Sequence, residues 1–125
     1  MNDECIFCKK VAQKYSLIEN EYFITTYDKY PVSKGHTLII SKRHVASFFD
    51  LSKQEKESLD QAIMETKHHL DDLFKPSGYN IGVNINECAG QTVMHVHIHV
   101  IPRYKDDILD PRGGVRGVIP EKQKY

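Results

Sequence analysis

Gly90-Gln91-Thr92-Val93-Met94-His95-Val96-His97-Ile98-His99-Val100-Ile101-Pro102 decides how the chain is read. Histidines at 95, 97 and 99 alternate with Val96, Ile98 and Val100. In extended backbone, side chains at i, i+2 and i+4 leave on one face. The stretch is therefore a strand with Val96, Ile98 and Val100 turned into a core and the three imidazoles sharing the other face. Neighbouring imidazoles then stand about 6.5–7 Å apart, and the outer two about 13 Å. Bonds from a metal to histidine nitrogen are only about 2 Å long, so one ion cannot take all three. The rings have different tasks, or none.

Outward from this strand, Glu87 to Gln91 reads as a turn. Residues 79–86 before it alternate Ile81, Val83 and Ile85 with polar neighbours, which predicts a partner strand. Ser52 and Glu55 form the S-x-x-E pattern of a capping box. Leu59, Ile63, Thr66, Leu70 and Leu73 follow at helical steps, predicting one long helix buried along that stripe and ended before Pro76 and Gly78. Residues 22–27 and 36–40, rich in aromatic and β-branched side chains, are strands on either side of a loop containing Pro31 and Gly35. A short strand is expected at 17–21 and a short helix or turn at 5–11. The class that results is α+β: an antiparallel sheet of about five strands, one long helix and a short N-terminal helix. Residues 1–104 make the domain, and the proline- and glycine-rich residues 105–125 an extended C-terminal arm.

Composition narrows the partners. The chain has 125 residues, 40% hydrophobic and 27% charged, as globular domains do. Lys+Arg 17 balance Asp+Glu 17, so no overall field draws it to nucleic acid or a membrane surface. No run approaches the ~20 apolar residues of a membrane span, and the acidic start at Asp3 and Glu4 leads into no apolar signal segment. Three cysteines, an odd number, argue against a disulfide framework and for a reducing compartment. A cytoplasmic protein is expected.

A histidine of ordinary pKa is mostly neutral at pH 7 and can act as nucleophile or ligand without a separate base. The Gly-Gln-Thr turn beside the aligned rings offers backbone N–H groups, an amide and a hydroxyl to an anion. That pairing suits phosphoryl chemistry, in which positioning and charge stabilisation dominate.

His95-Val96-His97-Ile98-His99-Val100-Ile101 resembles the His-φ-His-φ-His-φ-φ signature of the histidine triad (HIT) family, where φ is apolar. Gly35-His36-Thr37-Leu38-Ile39-Ile40 is similar to the family's upstream Gly-His strand, and Asn86 with Gly90-Gln91-Thr92 to its phosphate turn. Asp28 stands where the family places a ribose-binding Asp or Asn. The resemblance implies a HIT-like fold and a nucleotide hydrolase or nucleotidyl transferase that breaks a bond at the α-phosphorus. It implies His97 as the nucleophile of a covalent nucleotidyl-histidine intermediate and His99 as the contact to the phosphate or bridging atom. His36 would support the nucleophile's surroundings. Asn86, Gln91, Thr92 and His99 would hold phosphate oxygens, while Phe7, Tyr27, Asp28 and Leu38 would line the nucleoside pocket. The substrate would be a dinucleoside polyphosphate or a nucleoside phosphoramidate. No catalytic metal is required, because imidazole is itself the nucleophile. A homodimer is also implied.

Lys29, apolar in some relatives, would favour a more anionic substrate. The tail lacks the Trp-Pro-Pro-Gly end of the phosphoramidase branch, and its Arg103, Arg112 and Arg116 are candidates for a longer polyphosphate. Cys5-x-x-Cys8 has half of a zinc-site spacing. By resemblance to some bacterial triad proteins and to galactose-1-phosphate uridylyltransferases, His44 and His95 would complete a structural zinc site with it. Two alternatives stay open: a nucleotide-binding regulatory protein with little turnover, and a metal-binding protein that uses the histidine strand itself.

Overall fold

Phe23–Tyr27 (β2) and Thr37–Ser41 (β3) form an antiparallel hairpin in register Phe23↔Ser41 to Tyr27↔Thr37, in a computed structural model that describes residues 4–14 and 16–125. His97–Arg103 (β5) pairs antiparallel with the far side of β3, Thr37 opposite Val100 and Ile40 opposite His97. Ile18–Glu19 (β1) and Gly78–Gly82 (β4) close the two edges, giving the order β1-β2-β3-β5-β4. Ile6–Gln13 (α1) and Lys53–Phe74 (α2) complete the fold, which has the expected α+β make-up. No helix among the described residues is long and apolar enough to cross a membrane.

The period-2 pattern divides the sheet into two cores. Phe23, Ile39, Val96, Ile98 and Val100 pack with Leu59, Ala62 and Leu70 under α2. Ile24, Leu38 and Ile40 point the other way and pack with Phe7 of α1. Since Leu38 lies opposite His99 and Ile40 opposite His97, the histidine face is covered in part by α1 rather than left to solvent. An eight-residue helix is too short to hold itself in water, so α1 depends on this docking.

The capping box forms as read: Ser52 Oγ accepts from the Glu55 N–H, and the Glu55 carboxylate accepts from the Ser52 N–H. Glu55 is buried as well, because Arg43 donates to both of its oxygens, and this pairing holds its pKa below the usual carboxylate value. The helix's apolar stripe is displaced from the expected one. Leu59, Thr66 and Leu70 are buried and Ala62 joins them, whereas Leu73 is 58% exposed in the last turn, where the helix runs past the sheet.

Two strand limits also differ from expectation. β4 stops at Gly82 instead of continuing to 86, because its ladder with β5 ends at His99 and the chain then turns away. Being an edge strand it leaves Ile81 45% exposed. β5 begins at His97, so His95 precedes the strand; Val96 still donates to Val45 O and accepts from Ser41 N, which keeps the segment extended beside the end of β3. The C-terminal arm has no strand. It forms 3-10 turns at Gly114–Val118 and Pro120–Lys122, and the first of these lies against β4.

Candidate active site and metal centre

β5 sets the tautomers of its histidines through groups that can only accept or only donate. The His97 Nδ1–H donates to the His95 carbonyl at 2.8 Å, which leaves the Nε2 lone pair free. His97 sits on the floor of a cleft of about 470 Å³ walled by α1, the segment after β2 and residues 84–93. The edge of Phe7 meets its ring at a centroid separation of 4.8 Å.

His36 and His99 form a second ordered pair. The Val32 N–H donates to His36 Nδ1 at 3.1 Å, so the neutral ring carries its proton on Nε2. That Nε2–H donates to His99 Nδ1 at 2.9 Å, which in turn places the His99 proton on Nε2, at the cleft. Asp28 stands beside both, its Oδ2 3.3 Å from His36 Nε2 and 3.9 Å from His99 Nδ1, while its Oδ1 accepts from the Tyr30 N–H. Burial lowers the pKa of His36 against an opposing pull from Asp28. Burial likewise lowers that of His99, helped by His97 and His36. Both rings are therefore held neutral.

The expected nucleoside residues Phe7, Tyr27, Asp28 and Leu38 all line the cleft, as do Thr92, His36, His97 and His99. Two expectations for the phosphate turn are corrected. Gln91 is buried, and its carboxamide is fully engaged inside the loop. Its Oε1 accepts from the Asn86 N–H, and its Nε2 donates to the carbonyls of Ala46 and Val93. Gln91 therefore shapes the turn and has no donor left for an anion. Asn86, at φ 74, is the bend where the turn starts, and its carbonyl accepts from the N–H groups of Ala89 and Gln91. Its side chain is not in the cleft wall, whereas that of Asn84 is. Sequence reading missed Asn84, and Lys10 of α1, which also lines the cleft. Three asparagines in residues 80–86 look alike in sequence, and only the bend at 86 selects which one faces the histidines.

The arginines of the tail are otherwise engaged. Arg103 pairs bidentately with Asp107 and donates to Asn80 Oδ1, and Arg116 donates to the carbonyls of Lys122 and Gln123 beside the Tyr125 ring. Arg112 does not line this cleft.

Cys5, Cys8, His44 and His95 converge on the far side of α1, their ligand atoms all within 4.8 Å of one another. His95 is fully buried; its Nε2–H donates to the Ser41 carbonyl at 2.6 Å, so Nδ1 turns its lone pair to the cluster. Nδ1 lies 3.4 Å from Cys5 Sγ, 3.5 Å from Cys8 Sγ and 3.2 Å from His44 Nδ1, and the His44 and Cys8 atoms are 3.2 Å apart. A tetrahedral zinc with ordinary bond lengths needs ligand separations of about 3.3–3.8 Å, so the donor set fits. Asp28, His36 and His99 also cluster, but there the Val32 N–H puts the His36 proton on the nitrogen that would have to ligate. The first cluster has the donor chemistry of a metal centre, and the second has that of a proton-ordered pair.

Comparison with known proteins gives a consistent picture. Residues 9–106 match the HIT domain. Protein hit of Bacillus subtilis is 35% identical over 105 residues, covering 82% of this chain and 72% of that protein. The asymmetrical bis(5'-nucleosyl)-tetraphosphatase of Schizosaccharomyces pombe is 39% identical over 80 residues, 64% of this chain and 44% of that one. An adenylylsulfatase of Arabidopsis thaliana is 28% identical over 112 residues, 87% and 57% of the two chains. Among solved structures, a HIT family protein from Bacillus anthracis superposes with a TM-score of 0.77 at 36% identity over 85% of this chain and 77% of that one. A Zn-bound histidine triad family protein from Mycobacterium smegmatis does so with a TM-score of 0.77 at 30% identity, covering 86% and 80%.

Proposed function

The chain belongs to the HIT domain family, and from that premise we propose that it is a nucleotide hydrolase or nucleotidyl transferase working through His97. The observation that carries the reading is the tautomer of His97: Nδ1–H is held by the His95 carbonyl and the Nε2 lone pair opens on the cleft. A neutral imidazole so fixed is a nucleophile at pH 7 without a general base.

The steps follow from the groups present. His97 Nε2 forms a bond to the α-phosphorus as the bond to the leaving group breaks. The leaving group departs with that electron pair, accepts a hydrogen bond from the His99 Nε2–H, and takes its proton from water. A second water then breaks the nitrogen–phosphorus bond, giving its oxygen to phosphorus and restoring neutral His97. The net change is addition of one water across the original bond. In a transferase, another acceptor stands in for that water. Thr92, Asn84 and His99 hold the phosphate oxygens, Lys10 and Lys29 add positive charge at the cleft, and Phe7, Tyr27, Asp28 and Leu38 receive the nucleoside. The substrate is a dinucleoside polyphosphate or a nucleoside phosphoramidate; a relative named as a bis(5'-nucleosyl)-tetraphosphatase supports the first, and one named as an adenylylsulfatase supports cleavage at a nucleotide's α-phosphorus.

Cys5, Cys8, His44 and His95 would hold a zinc ion, which when bound supplies a structural cross-link with no open position. Those residues tie α1, and with it Phe7, to the end of β3 and the start of β5. The test of the main reading is intact mass after brief incubation with adenosine phosphoramidate or diadenosine tetraphosphate. A nucleotidyl adduct on the wild-type chain that is absent from His97→Ala is expected. Tight nucleotide binding with neither adduct nor product would make the protein a regulatory binder instead.

A further inference from the structure

Cys5 and Cys8 stand at the N-terminal turn of α1, and their sulfurs serve two structures at once. Cys5 is the N-cap residue, and its Sγ accepts from the Cys8 N–H at 3.4 Å. The same Sγ faces His95 Nδ1 at 3.4 Å, while Cys8 Sγ faces His44 Nδ1 at 3.2 Å. The four donors are unequally covered: Cys8 and His95 are buried, Cys5 is half-buried and His44 is exposed. A reagent in solution therefore meets the Cys5 sulfur first, with Cys8 behind it in the same turn. Cys-x-x-Cys is a spacing at which dithiol and disulfide interconvert. Histidines in place of the cysteines would also suit zinc and would have no such second state.

α1 stands between this cluster and the cleft. The Phe7 ring centroid lies 4.8 Å from that of His97 and 6.0 Å from that of His95, so one side chain joins the nucleophile to a metal donor. Ile6, Phe7 and Lys10 line the cleft. Phe7 and Val11 pack on Ile24, Leu38 and Ile40, but a helix of eight residues has little stability of its own. The cluster pins this wall of the cleft at the end that carries the sulfurs.

We propose that Cys5 and Cys8 are a peroxide-sensitive switch, in which a Cys5–Cys8 disulfide opens the metal centre and loosens α1 from the cleft. The Cys5 thiolate attacks one oxygen of hydrogen peroxide. The O–O bond breaks, hydroxide leaves with the electron pair, and Cys5 becomes a sulfenic acid. Cys8 Sγ then attacks the Cys5 sulfur; the sulfur–sulfur bond forms, the sulfur–oxygen bond breaks and a second hydroxide leaves. The two thiolates have lost two electrons, and one peroxide with two protons has become two waters. Thiolate, not disulfide, is the metal ligand, so His44 and His95 are left as two donors where four are needed. In a reducing compartment thiol exchange reverses the step. The proposal rests on the zinc site read from these four residues and is independent of the reaction at His97.

The experiment uses full-length Cys88→Ser, which removes the exposed third thiol, purified under reducing conditions. Its zinc is measured, and hydrogen peroxide is then added in equal amount to the protein. Peptide mapping reads the disulfide, a chromogenic chelator the released zinc, and hydrogen exchange the protection of Ile6–Gln13. Zinc and Cys5–Cys8 disulfide should appear in equal amounts, and exchange across α1 should quicken about tenfold or more. Dithiothreitol with added zinc should reverse both. KM for diadenosine tetraphosphate should rise about tenfold in the oxidised protein, the order expected when an apolar contact to the ligand is lost. Zinc retained after oxidation, zinc released with the cysteines as sulfinic acids instead of a disulfide, or unchanged protection of α1 overturns the switch. A protein purified without metal overturns the zinc reading and the switch with it. An altered α1 with no turnover in either form leaves the switch standing and counts against the nucleotide chemistry alone.

Discussion

Replacing His36 with leucine removes the donor that orders His99 while keeping an apolar side chain of similar size in the buried position. In the wild-type chain the His99 proton sits on Nε2 because Nδ1 accepts from His36 at 2.9 Å. Without His36, Asp28 Oδ2 stands 3.9 Å from Nδ1. A carboxylate only accepts, so it draws the proton to Nδ1 and leaves Nε2 bare at the cleft. The ring is still present but presents a lone pair where the leaving group needs a hydrogen-bond donor. Loss of a hydrogen-bond donor aimed at developing charge costs about 10²–10³ in rate, and the fall should appear in kcat with a small change in KM, since the nucleoside wall is untouched. The Val32 N–H loses its acceptor, His36 Nδ1, and a buried donor left unsatisfied costs about 1–3 kcal/mol of stability. Nitrogen-15 NMR of the imidazole reads the tautomer directly. Asp28→Asn, placed on His36→Leu, should restore part of the Nε2–H population. A His99 that keeps its proton on Nε2 in His36→Leu, or a kcat within a fewfold of wild type, refutes it.

Three further outcomes are expected. Cys8→Ser should bring zinc, measured by elemental analysis, from about one per chain to well below that, and hydrogen exchange should show protection lost across α1, which is too short to persist undocked. Folding stability should fall as pH drops below about 6.5, because burial depresses His36 and His99 in the folded chain and the unfolded chain takes up protons first. Each ring contributes at most about 1.4 kcal/mol per pH unit, seen as a lower urea midpoint at pH 5.5 than at 7.5; an unchanged midpoint would contradict the assigned neutral rings. Asn84→Ala should lower kcat/KM about tenfold or more by removing a phosphate contact, while Asn86→Ala should act mainly on thermal stability, through the strained bend at φ 74. The reverse ranking would return the phosphate role to Asn86.

Local pattern made most of this protein legible. Alternation of histidine with Val96, Ile98 and Val100 placed β5 and its two faces, because strand geometry has a fixed period. Ser52 and Glu55 marked the start of α2, because a capping box is satisfied by neighbours in sequence. The spacing of Cys5 and Cys8 marked one end of the cluster they form with His44 and His95. What pattern left open depended on distant partners. Leu73 and Ile81 fit their periodicities yet are exposed, since the helix outruns the sheet and β4 has no outer neighbour. Gln91 has the chemistry of an anion donor, but Ala46 and Val93 use it as a brace. Asn84 takes the cleft position expected of Asn86 because the chain bends at 86. The residue types of the histidine triad were therefore set by the sequence alone. Which nitrogen of each ring carries the proton was decided by the tertiary structure, through the carbonyls of His95 and Ser41 and the N–H of Val32. An imidazole has no preference strong enough to settle that without a partner held in place by the fold.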